Sequence, residues 1–344
     1  MRKMARIFSM LCHNNRHIMS VLIKSVHFSA LPAVFRLALL IGACITVVGC
    51  SSGESKVEDQ LDVVEQNLAD IRDALKSNGL RNATIIQQYA SVLKGKRPEL
   101  SPLLVELEKD ATTRGPLFKG LEQRLSGLKD SSEYYESWTE KLDEATKLNA
   151  ATKRDAYNDA LSDTVNVIAD LSDGTLARVN AMSAAAEQTL NKSKSYGKGG
   201  QYIGNPHYGN WSHGSGGSVW AWYGQSAFFS SMFGRNRYYY NDWASNRGYS
   251  YYHDVGRNHY TSRSQRNGQR DVETRAKKQF GTQGKHRSPY AKSRGGSTGL
   301  SSSSKGLQNS AFKSQYGSSN KTSKYQSSSR SSGFRTSRGV SRGK

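Results

Sequence analysis

The sequence predicts an all-α body followed by a largely disordered Gly/Ser/Tyr/Arg-rich tail, and three observations carry that expectation. Apolar residues recur at helical spacing from Glu54 to Ser195. Residues 196–260 exchange aliphatic side chains for rings set among glycine, serine and asparagine. From Thr261 to Lys344 the periodicity disappears into Ser, Gly, Arg, Lys, Gln and Asn, with too little apolar surface to offset the entropy of ordering.

The helical elements follow in order. Val57, Leu61, Val64, Leu68, Ile71 and Leu75 form a heptad seam, and Gly79 suits its C-terminal cap. Ile85, Ile86, Tyr89, Val92 and Leu93 mark a second helix that stops near Gly95 and Pro98. Ser101-Pro102 reads as a capped start. Gly115-Pro116 breaks that helix ahead of the stripe Leu117, Leu121, Leu125 and Leu128. Asp130 with Glu133 and Thr152 with Asp155 resemble capping boxes. They precede the runs Tyr134, Tyr135, Trp138, Leu142 and Tyr157, Leu161, Val165, Ile168; Leu176, Val179, Ala186 and Leu190 complete the series. The absence of proline between Pro116 and Pro206 suits long antiparallel helices. A helical bundle or coiled-coil helical hairpins accommodate these stripes, and only the first segment keeps strict heptads.

Catalytic chemistry is hard to place. Residues 50–206 hold no histidine, the carboxylates fall on solvated faces, and no Ser/His/Asp set, phosphate-binding glycine loop or metal motif stands out. The expectation is a protein that is not an enzyme and needs no cofactor.

The aromatic segment admits three readings. Its rings with Arg235, Arg237, Arg247 and Arg257 could stack on sugars or hold cations over their faces. They could sit at a membrane–water interface, with Ser218–Phe233 as a short interfacial helix or hairpin carrying Trp220, Trp222, Phe228, Phe229 and Phe233. They could also be a sticky low-complexity segment packing on the helices or on itself. Too few aliphatic residues remain for an ordinary core. His207, His213, His253 and His259 match no metal spacing, although His253, Asp254 and His259 offer an N/O set; solvated histidines are expected.

Charge divides along the chain. Residues 1–49 carry +6 with no acid, residues 50–195 hold 19 Lys and Arg against 24 acids, and residues 196–344 hold 24 against four, which together give the formal +21. Such asymmetry points to a near-neutral body and a basic interaction tail.

The N-terminus sets the compartment. Leu37–Val48 is a run of 12 residues, apolar but for Gly42 and Thr46, behind Arg36 and ending in Val47-Val48-Gly49-Cys50. That length fits the roughly 7–15 residues of a secretory core and falls short of the roughly 20 of a spanning helix. Met1 and Met19 are both candidate starts. Small residues before a cysteine resemble the lipobox of bacterial lipoproteins, in which the cysteine becomes the lipid-bearing mature N-terminus. The resemblance implies a signal peptide over 1–49, acylation with palmitate-type chains on Cys50, and a membrane anchor on the periplasmic or outer side of the cell envelope. Ser51 implies the outer membrane if the bacterium has two. Cys12 and Cys44 would leave with the signal, and Cys50 would carry lipid, so no disulfide or cysteine metal site is expected.

Cys50-Ser51-Ser52 before a heptad helix also resembles Braun-type murein lipoproteins, which are joined to peptidoglycan through a terminal lysine. Lys344 would be the corresponding wall attachment. More loosely, the layout is similar to certain enterobacterial lipoproteins with Gly/Ser/Arg tails and no assigned activity. The domains expected are thus 1–49 signal peptide, 50–195 α-helical domain, 196–260 aromatic segment and 261–344 disordered tail. The function expected is a lipid-anchored envelope protein with a structural or interaction role. Its basic tail would contact anionic lipids, lipopolysaccharide, peptidoglycan or partner proteins; a merely solubilising tail is the alternative. Export removes nucleic acid as a partner. The competing reading is a cytoplasmic nucleic-acid-binding protein with a signal-like N-terminus.

Overall fold

The computed structural model describes residues 53–130, 135–224 and 237–316, with residues 311–316 described through the backbone alone. The chain divides into two compact units, 1–56 and 57–344; of the first, only residues 53–56 are described. The expected signal peptide therefore lies outside the described residues.

The protein is helical. Helix α1 (Gly53–Lys76) buries Val57, Leu61, Val64, Leu68, Ile71, Ala74 and Leu75, the heptad seam with one alanine added. Glu54 in its first turn and Lys76 in its last oppose the helix dipole favourably. Its end differs from expectation, because Asn78 rather than Gly79 takes the left-handed conformation, at φ 56°. Gly79 serves a different need: a Cβ there would stand 2.7 Å from the Arg154 guanidinium, which donates to the Gly79 carbonyl.

Helix α2 (Arg81–Lys96) lacks a capping side chain of its own. Asn158 supplies one from a distant helix, accepting from the Asn82 amide at 2.8 Å while Asn82 donates to the Asn158 carbonyl at 2.7 Å. A 3₁₀ turn at Pro98–Leu100 leads into α3 (Ser101–Glu108), so Ser101 lies inside the helix and does not cap it. Helix α4 (Pro116–Lys129) begins with proline at its first position. Helix α5 (Trp138–Ala151) is capped by Ser137, whose side chain accepts from the Glu140 amide. The Thr152–Asp155 capping box does not form, since Thr152 closes α5 and Lys153 precedes α6 (Arg154–Ala160); Asp130 stands at the C-cap of α4, and Glu133 lies outside the described residues. Tyr134 lies outside the described residues, and Trp138, expected in the core, is 47% exposed at the first position of α5. Helix α7 (Ser162–Leu171) is buried at every position except Asp170. It is the central element, and its polar residues must therefore find partners.

Beyond α8 (Ala184–Asn191) the chain becomes irregular without leaving the core. Strands β1 (Gly209–Ser212) and β2 (Val219–Trp222) form an antiparallel pair with Trp211 opposite Trp220. A Cβ on Gly209 would approach the Ala221 carbonyl to 2.4 Å and the Trp220 ring to 2.6 Å, so only glycine permits this register. Helix α9 (Tyr240–Asn246), a π-helical turn at Tyr252–Gly256, and α10 (Arg257–Tyr260) follow.

Two expectations about this half are overturned. Residues 196–260 were expected to form no ordinary core, with packing on the helices as one of three readings; Tyr202, Tyr208, Tyr251, Tyr252, Val255 and Tyr260 are buried in one cluster with the helical half. A second cluster gathers Ile203, Trp220, Tyr238, Tyr240, Trp243, Val272 and Ala276. Rings supply the apolar area that aliphatic residues supply elsewhere. Likewise residues 261–316, expected to be disordered, are structured. Helix α11 (Arg263–Phe280) starts with a complete capping box between Ser262 and Gln265 and buries Val272 and Ala276. Helix α12 (Ser302–Tyr316) closes the fold, with Leu300 and Leu307 joining the main cluster. Residues 317–344 lie outside the described residues.

Because both halves share one cluster, they should unfold together. Phe118→Ala in the helical half and Trp243→Ala in the aromatic half should each cost about 3–5 kcal/mol. Both should displace a single urea transition seen alike by circular dichroism and tryptophan fluorescence; separate transitions would contradict a shared core.

Candidate functional site

Most of the residues marked by sequence as sites are either outside the described residues or serve packing. Cys50, Lys344, Phe228, Phe229 and Phe233 lie outside the described residues. Trp220 is buried at 6% exposure and cannot meet a membrane surface, while Trp222 is half-buried against it with ring centroids 5.6 Å apart. Trp211 stands 5.2 Å from Trp220, 5.0 Å from Tyr240 and 5.2 Å from Trp243 in mostly edge-on contacts. The quadrupoles of neighbouring rings favour that arrangement. Two of the arginines sit over a ring from outside the segment: Arg257 is 3.5 Å and Arg247 5.4 Å from the Tyr290 centroid.

The histidines correct a further expectation. His207, His253 and His259 are buried, not solvated, whereas His213 is exposed. His207 Nε2 meets the Tyr260 carbonyl at 2.7 Å, and His253 Nε2 meets the Ile203 carbonyl at 2.8 Å. Asp254, the proposed oxygen donor beside them, is instead gripped by Arg247 through two hydrogen bonds of 2.8 Å, with both side chains almost fully buried. Among the described residues no group of three or more His, Cys, Asp or Glu could hold a metal ion. Burial pushes His207 and His259 down to about 4 and also holds His253 well below its ordinary value.

Two aspartates carry the opposite perturbation. Asp110 accepts from Thr164 at 2.6 Å and from Tyr208 at 2.8 Å, and burial still lifts it to about 6. Asp163 accepts the backbone amides of Tyr251 at 2.8 Å and Tyr252 at 2.9 Å; burial lifts it to about 7 against their pull. Raised carboxyls in a cleft are candidates for acid–base chemistry. Among the described residues both line a void of about 20 Å³, room for a single water and no substrate. Their geometry is that of structural ties.

The surface feature with functional reach is α11. Its first half is fixed by acids of α5: Arg263 reaches Glu140 at 2.6 Å, and Arg266 pairs with Glu144, which also accepts from the buried Arg124 at 2.7 Å. Burial works against the Glu144 charge, but Arg124 and Arg266 hold its carboxyl below the usual range. The second half is different. Arg270, Arg275, Lys277 and Lys278 are exposed, and none forms an ion pair among the described residues. Lys285, Arg287 and Lys292 continue the exposed cations past the helix end. The sequence contained these charges, but only the buried positions Val272 and Ala276 reveal which way the helix presents them. No helix among the described residues is long and apolar enough to cross a membrane.

The buried titrating groups fix the sign of the pH response. Each buried histidine is neutral when folded and charges when unfolded, so its contribution is full above 6.5 and is lost as pH falls toward about 4. Asp110 and Asp163 contribute stability that is full below 3.8 and is lost as pH rises through about 6 and about 7. Between about pH 6.5 and 8.5 the unfolded histidines shed their remaining protons, which raises stability, while folded Asp163 sheds its own, which lowers it, so Asp163 is read from the difference between wild type and Asp163→Asn. Urea unfolding at both ends of that window should show Asp163→Asn gaining about 1 kcal/mol on the wild type as pH rises; a difference that does not change with pH would refute the assignment.

No family model matches this chain, and comparison with curated proteins and with solved structures finds no match.

Proposed function

We propose that this chain is a non-enzymatic, lipid-anchored envelope protein whose folded body carries a fixed cationic face toward an anionic surface. The observation that carries the reading is the apolar run ending in Val47-Val48-Gly49-Cys50, which suits export and acylation of Cys50. Several acyl chains make a stable anchor where one alone does not. The helices of residues 57–171 then act as a bundle that spaces or docks the anchored protein.

The cationic face of α11 supports the same reading. It adds to the charge of residues 317–344, which hold seven Lys and Arg and no acid. Anionic lipid head groups, lipopolysaccharide phosphates and acidic wall polymers are the polyanions of that compartment. Such contacts are worth about 1 kcal/mol per cation near a membrane and weaken with salt.

Mass spectrometry of the mature N-terminus should find an acylated Cys50. An unprocessed chain in the soluble fraction would reject the anchor and favour a cytoplasmic nucleic-acid-binding protein. Independently, replacing Arg270, Lys277 and Lys278 by alanine should weaken binding to anionic vesicles by about 100-fold at low salt, the loss of about 1 kcal/mol at each site. Binding unchanged by the triple substitution would remove α11 from the interface.

A further inference from the structure

A half-open cleft of about 790 Å³ lies between the end of α7, the first turn of α8, the loop 194–201 and the segment 243–253. Its volume falls within the range of small-molecule sites, roughly 300–1,000 Å³. The lining is mainly apolar with small side chains, including Ala169, Leu176, Ala177, Ala181 and Ala184, backed by Trp243. Gly174 and Gly197 line it with positive φ of 89° and 82°, and a Cβ on either would meet nothing within 4 Å, so their backbone stands clear of neighbouring atoms.

Three features make the cleft selective for negative charge. First, Lys194 and Lys198 line it and are held only by exposed aspartates, Lys194 by Asp242 at 2.7 Å and Lys198 by Asp173 at 2.5 Å. Exposed pairs of this kind are worth about 0–1 kcal/mol, so a ligand can take over the ammonium groups cheaply. Second, the acids that line the cleft are already engaged. Asp170 accepts two bonds from Arg178 and one from Gln201, and Glu187 accepts from Asn191 and from the Tyr249 amide. Third, Ser183 and Ala184 bring the N-terminus of α8 to the wall, and the first amides of a helix have no partner within it and attract anions.

We propose that this cleft binds a small amphiphilic anion, with a carboxylate or phosphate head among Lys194, Lys198 and the first turn of α8 and an apolar body over the alanine-rich floor. The site does not depend on how the chain is anchored. It is tested by calorimetric titration of the purified full-length protein with decanoate and with decyl phosphate, each below its micelle concentration, and with decylammonium as the charge control. Saturable one-to-one binding of an anion, with decylammonium failing to bind, is the expected result. The tighter of the two anions identifies the head group. Lys194→Ala with Lys198→Ala should weaken binding about tenfold, and Ala184→Trp should abolish it by filling the floor; Lys119→Ala, exposed on α4 away from the cleft, should change nothing. The lysine pair is at the surface and tests the site even if the tryptophan variant fails to fold. Absence of saturable binding, equal binding of decylammonium, or anion binding that the lysine pair leaves unchanged would each overturn the proposal.

Discussion

Four buried tyrosines of the aromatic half depend on the helical half for acceptors of their hydroxyls. Tyr202 donates to Thr164 at 2.6 Å, Tyr208 to Asp110 at 2.8 Å, Tyr251 to the Ala156 carbonyl at 3.2 Å and Tyr260 to the Ala151 carbonyl at 2.9 Å. A buried hydroxyl without a partner costs about 1–3 kcal/mol, so four such failures would rival the whole stability of an ordinary domain. Ala151 is the last residue of α5, where helix carbonyls lack intrahelical partners. One half thus leaves an acceptor open and the other half fills it. Neither half is a complete domain chemically, which is why the sequence boundaries near 195 and 260 are not seams in the core.

The charge asymmetry has the same internal use. Acids of the helical half bind cations and amides of the later half: Glu140 holds Arg263, Glu144 holds Arg266, Asp163 holds the amides of Tyr251 and Tyr252, and Glu187 holds that of Tyr249. Asp159 likewise accepts from the Ser301 amide at 2.9 Å, tying the entry of α12 to α6. Part of the apparent basic tail is therefore a complement to an acidic body. What remains for a partner is the charge that the fold leaves unpaired, on the second half of α11 and the exposed cations after it.

The heptad of α1 was legible because each apolar position reports directly on one buried face. The ordering of 263–280 was not, because only Val272 and Ala276 anchor that helix and its composition is that of a solvated tail. One signal did exist: Ser262 followed three residues later by Gln265 is a capping box, and it forms. The aromatic core escaped for a different reason. A count of aliphatic residues misses apolar area carried by rings, and no spacing rule foretells that Trp211, Trp220, Tyr240 and Trp243 will pack edge to face across a strand pair and a helix. The cleft was illegible in principle, since its walls come from four segments whose meeting depends on tertiary packing.

The π-helical turn at Tyr252–Gly256 shows how these constraints combine near that cleft. A Cβ on Gly256 would stand 2.7 Å from the Tyr260 ring and 3.0 Å from that of Tyr251, so glycine lets two rings close on the backbone. Asp163 fixes the entry of the turn through the Tyr251 and Tyr252 amides, and Arg247 fixes Asp254 within it. The wider π turn then carries His253 to both the Ile203 carbonyl and the Tyr290 hydroxyl, at 2.8 Å and 3.2 Å. Widened turns of this type recur at functional sites, and here His253, Trp243 and Tyr249 all line the cleft. The wall that meets a ligand is thus braced from below by a buried carboxylate, a buried ion pair and two tyrosine rings, which preorganises it and reduces the ordering cost of binding.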